Sequence, residues 1–389
     1  MYLTREEERI YDGEFGWASQ TCMKILVRLG ELFNAKRLIP ISSAHVSGVS
    51  YKTLGDAPTE FLEALANANA KVKVKATLNP QSLDREYLCR KFPSEICQKQ
   101  LKVREYFEKM DFTQSLTCTP YYLEKPRKNA HLAWAESSAV VYANSVVGAW
   151  TNREGGPSAL ASAIIGKTPD YGMHQPENRQ PKVLVKVEGK LEDAVEFGAL
   201  GIFLGEILED KIPIIQCLQN TSKDNLKQLG AALASTGMAN MFYHKNVNTE
   251  NSKMEKITVQ TRDIKKTIDK LTTASTEKPD LVFVGCPHCS LNEIGQIADL
   301  IGNRKAKTEF WVCTSRFIKE KARKHVEKIE KSGAHVLTDT CAVVTWTEKL
   351  GVKTIMTNSA KTAHYAPTLN KAETILAPLK KCLKTTFKG

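Results

Sequence analysis

The chain has 389 residues, 42% of them hydrophobic and 25% charged, which suits two or three packed α/β units better than one core. No apolar stretch approaches the ~20 residues that a transmembrane helix needs. The acidic, polar N-terminus also lacks the basic start and apolar middle of a signal peptide. These features argue against a membrane protein and predict a cytoplasmic location.

The net charge of +12 makes nucleic acid one conceivable partner. However, the lysines are spread along predicted helices, and the sequence contains no aromatic-interleaved basic stripe, zinc finger or RNA-binding signature. We therefore expect a solvated lysine surface and no nucleic-acid partner. A basic site that collects small anions is compatible with the same charge.

Ten cysteines are scattered over the whole chain and do not form a dense framework. In a reducing cytoplasm we expect them to be thiols or metal ligands and not disulfides. Buried thiols are common in protein cores, so most are predicted to be inert. The cysteines interpreted as structural are Cys22, Cys89, Cys97, Cys217, Cys313 and Cys382.

The first part of the chain mixes helices with unusual loops. Thr4 and Glu7 have capping-box spacing and predict a short opening helix. Further predicted elements are a helix over 19–33, a strand over 38–41 that runs into the polar loop SSAHVSGVSY, a helix from Asp56 and Pro58, and a strand over 72–78. Asn79-Pro80 stops that last strand.

From Pro181 onward, strands alternate with helices, which favours parallel sheets covered on both faces. The predicted strands are 182–187, 212–218, 280–285, 309–315, 334–340 and 353–358. A lysine-rich stretch over 245–278 is expected to contain a helix and a linker. The predicted organisation is an N-terminal unit over 1–178, a central unit over 179–278 and a C-terminal unit over 279–389.

Ligands of such sheets bind beyond the carboxyl ends of the strands, so the residues at those ends are informative. One predicted strand ends at Cys286-Pro287-His288-Cys289, a second at Cys341 and a third at 358–361. Cys118 lies upstream in the polar segment TCTPYY. Three elements could therefore bring three thiolates to one point.

The CPHC motif also supports a rival interpretation as a thioredoxin-like redox site. Ser290 and Glu293 have capping-box spacing, and the adjacent helix start would lower the pKa of the thiols. A thioredoxin unit needs a facing proline, yet no proline lies between Pro287 and Pro367. A structural zinc site is also disfavoured, because the sequence lacks a second ligand pair at short spacing.

An iron–sulfur cluster fits three distant thiolates better. Three ligands on a four-iron cube leave one iron open, and that iron can act as a Lewis acid on a substrate hydroxyl. Dehydratases need such help, because hydroxide is a poor leaving group. Spacing alone is equally compatible with buried, inert thiols.

Eight ordered motifs decide between these alternatives: SAHVSGVSY, TLNP, TCTPYY, HLAWAESSAVVYANS, TNREGGPSAL, GCPH, TDTC and TNSAKTAHYAP. Together they resemble the aconitase X family over nearly the whole chain, and most closely its archaeal branch. The resemblance implies an aconitase-like α/β fold with mostly parallel sheets around a [4Fe-4S] cluster. It implies Cys118, Cys286 and Cys341 as the cluster ligands, with Cys289 as an alternative ligand to watch.

The resemblance further implies dehydration of (R)-5-phosphomevalonate to trans-anhydromevalonate 5-phosphate in an archaeal mevalonate pathway. The bacterial branch dehydrates hydroxyprolines, which is the alternative within the family. Aconitase-like enzymes close a mobile swivelling domain that carries the serine base. Only the lysine-rich stretch KKCLKTTFKG follows the last predicted β/α unit, so we expect that domain on a separate small subunit.

Several residues are candidates for binding a small, anionic, phosphorylated substrate. Each has a structural alternative: an ordinary turn for the loop around Gly48, a helix cap for the polar patch at Glu136, and a salt bridge for Arg153. Lys361 follows a strand end and could supply a point charge. The full set is Gly48, Val49, Ser50, Asn79, Pro80, Glu136, Ser137, Ser138, Arg153 and Lys361.

Overall fold

The computed structural model describes residues 1–216, 218, 221–244 and 254–387. The chain folds into two compact units, Met1–Gln180 and Pro181–Gly389. The expected α/β architecture with mostly parallel sheets is confirmed. The division into three units at 178 and 278 stays a prediction, and so does the structural role of Cys217, which lies outside the described residues.

The first unit contains seven α-helices and five strands among its described elements. Its helices are α1 (Arg5–Asp12), α2 (Trp17–Leu32), α3 (Tyr51–Leu54), α4 (Asp56–Asn67), α5 (Ser94–Lys109), α6 (Ser137–Tyr142) and α7 (Gly156–Ile165). Its strands are β1 (Leu38–Pro40), β2 (Ser43–Val46), β3 (Lys75–Leu78), β4 (Leu132–Trp134) and β5 (Lys167–Pro169).

The central sheet of the first unit has the order β3-β2-β4 and is entirely parallel. Two parallel bridges extend it, because Thr113 pairs with Thr77 on β3 and Arg153 pairs with Trp134 on β4. Five chain segments therefore run in the same direction side by side. β1 and β5 form a separate antiparallel ribbon. Helices α2, α4, α5 and α7 supply the buried apolar residues that cover this sheet.

The second unit contains eight α-helices and eight strands among its described residues. Its helices are α8 (Ala194–Leu208), α9 (Lys223–Thr236), α10 (Thr261–Leu271), α11 (Leu291–Ile301), α12 (Arg316–Lys321), α13 (Arg323–Lys331), α14 (Ala360–Leu369) and α15 (Leu379–Thr386). Its strands are β6 (Val183–Val187), β7 (Pro213–Ile215), β8 (Glu255–Val259), β9 (Leu281–Cys289), β10 (Glu309–Thr314), β11 (His335–Leu337), β12 (Thr354–Thr357) and β13 (Glu373–Leu376).

Two parallel sheets organise the second unit, with the orders β7-β6-β8 and β11-β10-β9-β12-β13. In the larger sheet β10 and β11 are added in turn on one side of β9, and β12 and β13 are then added on its other side. The direction of winding therefore reverses between β9 and β12. Such a switch point leaves a crevice beyond the carboxyl ends of the strands, where open α/β sheets bind ligands.

Several sequence-based boundaries were wrong, for identifiable reasons. Residues 43–46, predicted as part of a polar loop, form the central strand β2, because Ala44, His45 and Val46 are all buried between neighbouring strands. The segment expected to be only a lysine-rich tail forms helix α15, which buries Cys382 and Leu383. Strands β8 and β13 were not predicted at all.

The described part of the chain contains no helix that is both long enough and apolar enough to span a bilayer.

Candidate functional site

Candidate residues of the first unit follow the ends of adjacent parallel strands. Gly48 lies just after β2, Asn79 just after β3, and Glu136 just after β4. Cys118 follows Thr117, whose amide donates to the carbonyl of Leu78 over 2.9 Å. Because parallel strands end at the same edge, the sheet collects these residues along one edge.

A hydrogen-bond network joins two of these strand ends. Asn79 Nδ2 donates to Glu136 Oε2 over 2.9 Å. The other carboxylate oxygen accepts from the hydroxyl of Ser138 over 2.9 Å and from its amide over 3.4 Å. Glu136 is thus the N-cap of α6, which is the structural alternative considered for it. The carboxylate also fixes the orientation of the Asn79 amide at the sheet edge.

His45 lies in β2 near this network and is fully buried. Its Nδ1 is 2.8 Å from the hydroxyl of Thr77. Burial lowers the pKa of His45 to about 4, although the Glu136 carboxylate and the Asn79 side chain both raise it. His45 is therefore neutral at pH 7, and one ring nitrogen carries a proton that it can donate.

The loop after β2 depends on a glycine in the left-handed region. Gly48 has φ +76°, a conformation that other residues adopt at a cost. The carbonyl of Ser50 then accepts from the amides of Thr53 and Leu54, both over 3.0 Å, and starts α3. Val49 and Ser50 are both buried. The loop is therefore a defined structure at the sheet edge.

Gln100 of α5 is the residue of this unit that the sequence analysis missed. It is 1% exposed, and its side chain bonds to both the loop after β2 and the loop after β3. A polar residue on the same helix face as buried Val103 and Phe107 was the available signal. On sequence alone, that pattern does not say which groups satisfy the amide.

Arg153 lies in the segment that extends the sheet beside β4, level with Trp134. The next residue, Glu154, donates its amide to the Trp134 carbonyl over 3.0 Å. Its carboxylate is buried and accepts from Ser158 over 2.5 Å and from Thr168 over 3.3 Å. Burial raises the pKa of Glu154 despite these bonds. The TNREGG motif is thus held against the sheet by a buried carboxyl group.

In the second unit, the whole CPHC motif lies inside β9 and not beyond its end, contrary to the prediction. The strand shifts register opposite Val312 and Thr314 of β10. Gly285 has φ +111°, and a Cβ there would lie 2.3 Å from the Cys313 carbonyl oxygen. Only glycine at position 285 lets β9 lie this close to β10. The shift in register then allows β9 to continue as far as Cys289.

Cys286 and Cys341 are brought together in the second unit. Burial, and to a smaller extent the nearby Cys286, raise the pKa of the Cys341 thiol to about 12. Amides of Val343 and Val344 donate to Cys341, and together with the positive charge of Lys361 they lower that pKa. Lys361 is the second residue of α14, at the end of β12. Two predicted ligands and one predicted anion-binding lysine therefore lie in one neighbourhood.

Two interactions hold the Cys341 loop in place. The His288 ring donates from Nε2 to the Thr340 carbonyl over 3.0 Å, which links β9 to the residue before Cys341. Arg316 donates to both carboxylate oxygens of Asp339 over 2.6–2.9 Å. Asp339 is fully buried and has φ 67°, so this ion pair holds a backbone conformation that aspartate adopts at a cost.

Cys289 has the environment of an inert thiol. It is 3% exposed, and burial together with the nearby Glu293 carboxylate raises its pKa well above the usual value. Helix α11 does begin with the predicted Ser290–Glu293 capping box. The expected lowering of the thiol pKa at that helix start is nevertheless wrong for Cys289. A thiol–disulfide exchange site needs an accessible, acidic thiol, so the redox interpretation loses its physical basis.

A polar cavity of about 270 Å³ lies beside Cys289 at the switch point of the larger sheet. Its lining includes Gly285 and Cys289 of β9 and Asn358 after β12. Asp193, the N-cap of α8, and Asp224, in the first turn of α9, also line it. The second unit therefore has a polar crevice at the place where its topology predicts one.

The expectation that the cysteines would remain thiols or metal ligands is wrong for one pair. Cys89 and Cys97 form a disulfide across eight residues, between the turn after Asp84 and the first turns of α5. Cys22, Cys313 and Cys382 are buried thiols outside any disulfide, as predicted. In the described ranges, no three or more His, Cys, Asp or Glu side chains lie close enough together to form a metal site.

Comparison with known proteins agrees with this architecture. Sequence models for the aconitase X first, second and third domains match residues 1–177, 181–269 and 279–388. The chain belongs to the aconitase X family. A crystal structure of Thermococcus kodakaraensis aconitase X in its holo-form superposes on this aconitase X chain with a TM-score of 0.92. The two sequences are 39% identical, and the alignment covers 99% of this chain and 100% of the other.

Curated relatives are named dehydratases, which confirms the expected enzyme class at the level of the family. The phosphomevalonate dehydratase large subunit of Methanocaldococcus jannaschii is 47% identical, with 99% of this aconitase X chain and 100% of the relative aligned. The cis-3-hydroxy-L-proline dehydratase of Pseudomonas aeruginosa is 32% identical. That alignment covers 98% of this chain but 69% of the relative.

Proposed function

We propose that this chain is the large subunit of a phosphomevalonate dehydratase, which eliminates water from (R)-5-phosphomevalonate to give trans-anhydromevalonate 5-phosphate. The observation that carries the proposal is the 47% identity over essentially the full length of the M. jannaschii protein of that name. Four further archaeal relatives with the same name are 37–45% identical over 94–100% of this chain. The hydroxyproline dehydratases are more distant, at 30–32% identity.

We further propose that Cys118, Cys286 and Cys341 hold a [4Fe-4S] cluster. Their chemistry supports this, because thiolates are the ligands that such clusters require. All three keep a small solvent-exposed fraction of 5–8%, whereas Cys22, Cys313 and Cys382 are completely buried. When bound, the cluster supplies a Lewis acid for the departing hydroxyl group. Amides of Val343 and Val344 aimed at Cys341 would stabilise its thiolate form.

The protein's own residues are proposed to bind and orient the anionic substrate. Asn79, held by Glu136, presents an amide at the sheet edge, and the loop 48–50 presents backbone N–H groups beside it. Arg153 and Lys361 carry the positive charge needed for a carboxylate and a phosphate. Pro80 and Ser137 complete the proposed contacts. Neutral His45 lies near Asn79 and Glu136 and adds no charge to this edge.

A separate small subunit is proposed as the catalytic partner, carrying the swivelling domain and the base. The name "large subunit" of the archaeal relatives supports a second chain. The proposed working location is the cytoplasm. We expect the isolated large subunit to show little turnover.

The test is an anaerobic assay of this chain with its small subunit, using (R)-5-phosphomevalonate and cis-3-hydroxy-L-proline side by side. We expect product from (R)-5-phosphomevalonate and none from cis-3-hydroxy-L-proline. Turnover of the hydroxyproline instead would establish the alternative substrate. Iron and acid-labile sulfide are measured on the same preparation. A chain that holds neither while remaining folded would contradict the cluster, whichever substrate is used.

A further inference from the structure

Gln100 connects two loops that follow different strands. Its Oε1 accepts from the Tyr51 amide over 2.9 Å, from the Ser82 amide over 3.0 Å and from the Ser82 hydroxyl over 2.5 Å. Its Nε2 donates to the Val49 carbonyl over 3.0 Å. One side chain on α5 therefore bonds to four groups on two loops.

These loops contain the proposed anion-binding groups. The loop after β2 includes Gly48 and Ser50, and the loop after β3 includes Asn79. Neither loop is long, but the left-handed φ of +76° at Gly48 means that the first loop turns sharply as it leaves the sheet. Its position beyond that turn is set by what it contacts, and Gln100 contacts it on both sides of Ser50.

Few side chains can replace glutamine in this position. The loops present amide donors and one carbonyl acceptor, so the central group must both accept and donate. Glutamate keeps the acceptor but has no donor for the Val49 carbonyl when ionised. Leucine has a similar size but can neither accept nor donate, and it would leave the buried amides and the Val49 carbonyl without partners, which is destabilising. Gln100 is itself 1% exposed, so water does not replace it readily.

We propose that Gln100 is a positioning residue of the dehydratase site: it holds the loops after β2 and β3 in one fixed relation, so that their groups face one anionic substrate. The inference rests on the proposed function for its substrate. Its structural part, the coupling of the two loops, can be tested without any substrate.

Amide hydrogen exchange tests the coupling directly. In Gln100→Leu, peptides containing Tyr51 and Ser82 should exchange at least about tenfold faster than in the wild type, while peptides from β9 and α11 keep their protection. Gln98→Leu is the matched control, because Gln98 lies on the same helix and is exposed. Unchanged exchange at both loops in Gln100→Leu would overturn the proposal.

Gln100→Glu provides a second test if the leucine variant folds poorly. Glutamate can still accept from Tyr51 and Ser82, but it loses the donor to the Val49 carbonyl. Exchange should then rise in the loop after β2 and stay near the wild-type rate in the loop after β3. Equal loosening of both loops, or of neither, would contradict the assigned contacts.

Kinetics link the coupling to catalysis. With the complete enzyme and (R)-5-phosphomevalonate, Gln100→Leu should raise KM more than it lowers kcat, with kcat/KM down by about 10²-fold. Gln98→Leu should leave both unchanged. If Gln100→Leu loosens both loops yet keeps wild-type kcat/KM, the positioning role is wrong. If the wild type itself does not turn over this substrate, the proposed function fails, while the exchange result still decides whether Gln100 couples the loops.

Discussion

Asn79 and Glu136 join the ends of two strands that are not neighbours in the sheet: the Asn79 side-chain amide donates to Glu136 Oε2 over 2.9 Å, across the end of β2. The two residues were separate candidates in the sequence, Asn79 because it ends a predicted strand and Glu136 because it lies in a polar patch. Their contact connects the two strand ends through one polar network, which Ser138 completes and which lies close to His45.

Asn79→Asp should break that network through charge repulsion. The variant places a second carboxylate against Glu136, and we expect a loss of about 1–3 kcal/mol in the free energy of unfolding at pH 7. Adding Glu136→Gln should recover most of the loss, because the new glutamine amide can donate to the new aspartate carboxylate. Thermal denaturation of the two single variants and the double variant measures this coupling. Additive losses would mean that the two side chains do not interact.

His174 should make the protein sensitive to acid. Burial, and the nearby His131 and Arg179, lower its pKa from 6.5 to about 3. The folded protein therefore binds fewer protons than the unfolded chain between these values. The contribution of His174 to the free energy of unfolding is therefore fully present above pH 6.5 and is lost as the pH falls toward about 3.

The test compares apparent thermal midpoints from pH 7.5 to 4 for the wild type, His174→Asn and His325→Asn. His325→Asn is the control, because it removes an exposed histidine ring. The thermal midpoints of the wild type and of His325→Asn should fall by the same amount on acidification. His174→Asn should start lower at pH 7.5 but show a shallower slope. A slope equal to that of the wild type would contradict the role of His174.

Cys341→Ala should abolish cluster retention and leave the fold intact. Cys341 is 7% exposed and follows a loop held by the Asp339–Arg316 ion pair, so removing the thiol does not disturb the packing around it. Cys382→Ala, at a fully buried thiol of α15, is the matched control and should retain iron. Iron and sulfide analysis with the visible spectrum of anaerobic samples provides the readout. Full iron in Cys341→Ala would contradict its assignment as a ligand.

Local sequence patterns predicted those parts of the fold that local physics decides. The capping boxes Thr4–Glu7 and Ser290–Glu293 are both present, because each is satisfied within one helical turn. Strand β2 was missed because its residues lack strong strand propensity, and burial between β3 and β4 decides its conformation. The cofactor-ligand prediction relied on the ends of predicted strands and on the resemblance to the aconitase X family, and Cys286 and Cys341 do lie near each other in the second unit.

Other features depend on contacts that no local pattern encodes. The sequence shows that Gln100 is a polar residue among apolar positions of α5. Its partners Tyr51 and Ser82, however, lie 49 and 18 residues earlier in the chain, and no local pattern identifies them. The Cys89–Cys97 disulfide was excluded by an assumption about the cellular compartment, not by geometry. Both features support the same helix, α5, from its start and from its middle.

Reduction of the Cys89–Cys97 disulfide should lower the thermal midpoint. Closing a loop across eight residues stabilises the folded state by about 2–3 kcal/mol in the chain-entropy model. Dithiothreitol, a dithiol that becomes a cyclic disulfide as it reduces this bond to two thiols, should lower the midpoint of the wild type. Cys89→Ser should show the low midpoint without reductant and no further response. A wild-type midpoint that does not respond to the dithiol would argue against the disulfide in solution.

Replacing Lys227 alone should lower the free energy of unfolding strongly, whereas replacing Lys227 together with Glu293 should lower it much less. Its ammonium group is 1% exposed, and it pairs with the Glu293 carboxylate and donates to the His288 carbonyl over 3.1 Å. Helix α9 is thereby tied to the end of β9 and the start of α11. Lys227→Met leaves Glu293 buried without its charge partner, which typically costs about 3–5 kcal/mol.

The double variant Lys227→Met/Glu293→Gln removes both charges and keeps a side-chain oxygen that can accept from the Ser290 amide, as Glu293 does over 2.8 Å. We expect it to recover most of the stability that Lys227→Met loses, and chemical denaturation of the single and double variants measures this. Lys270→Met, at an exposed ion pair with Glu206, is the control and should cost less than about 1 kcal/mol. If the double variant is as unstable as Lys227→Met, the cost comes from the lost bond to the His288 carbonyl, and the anchoring of β9 by Lys227 matters more than its charge.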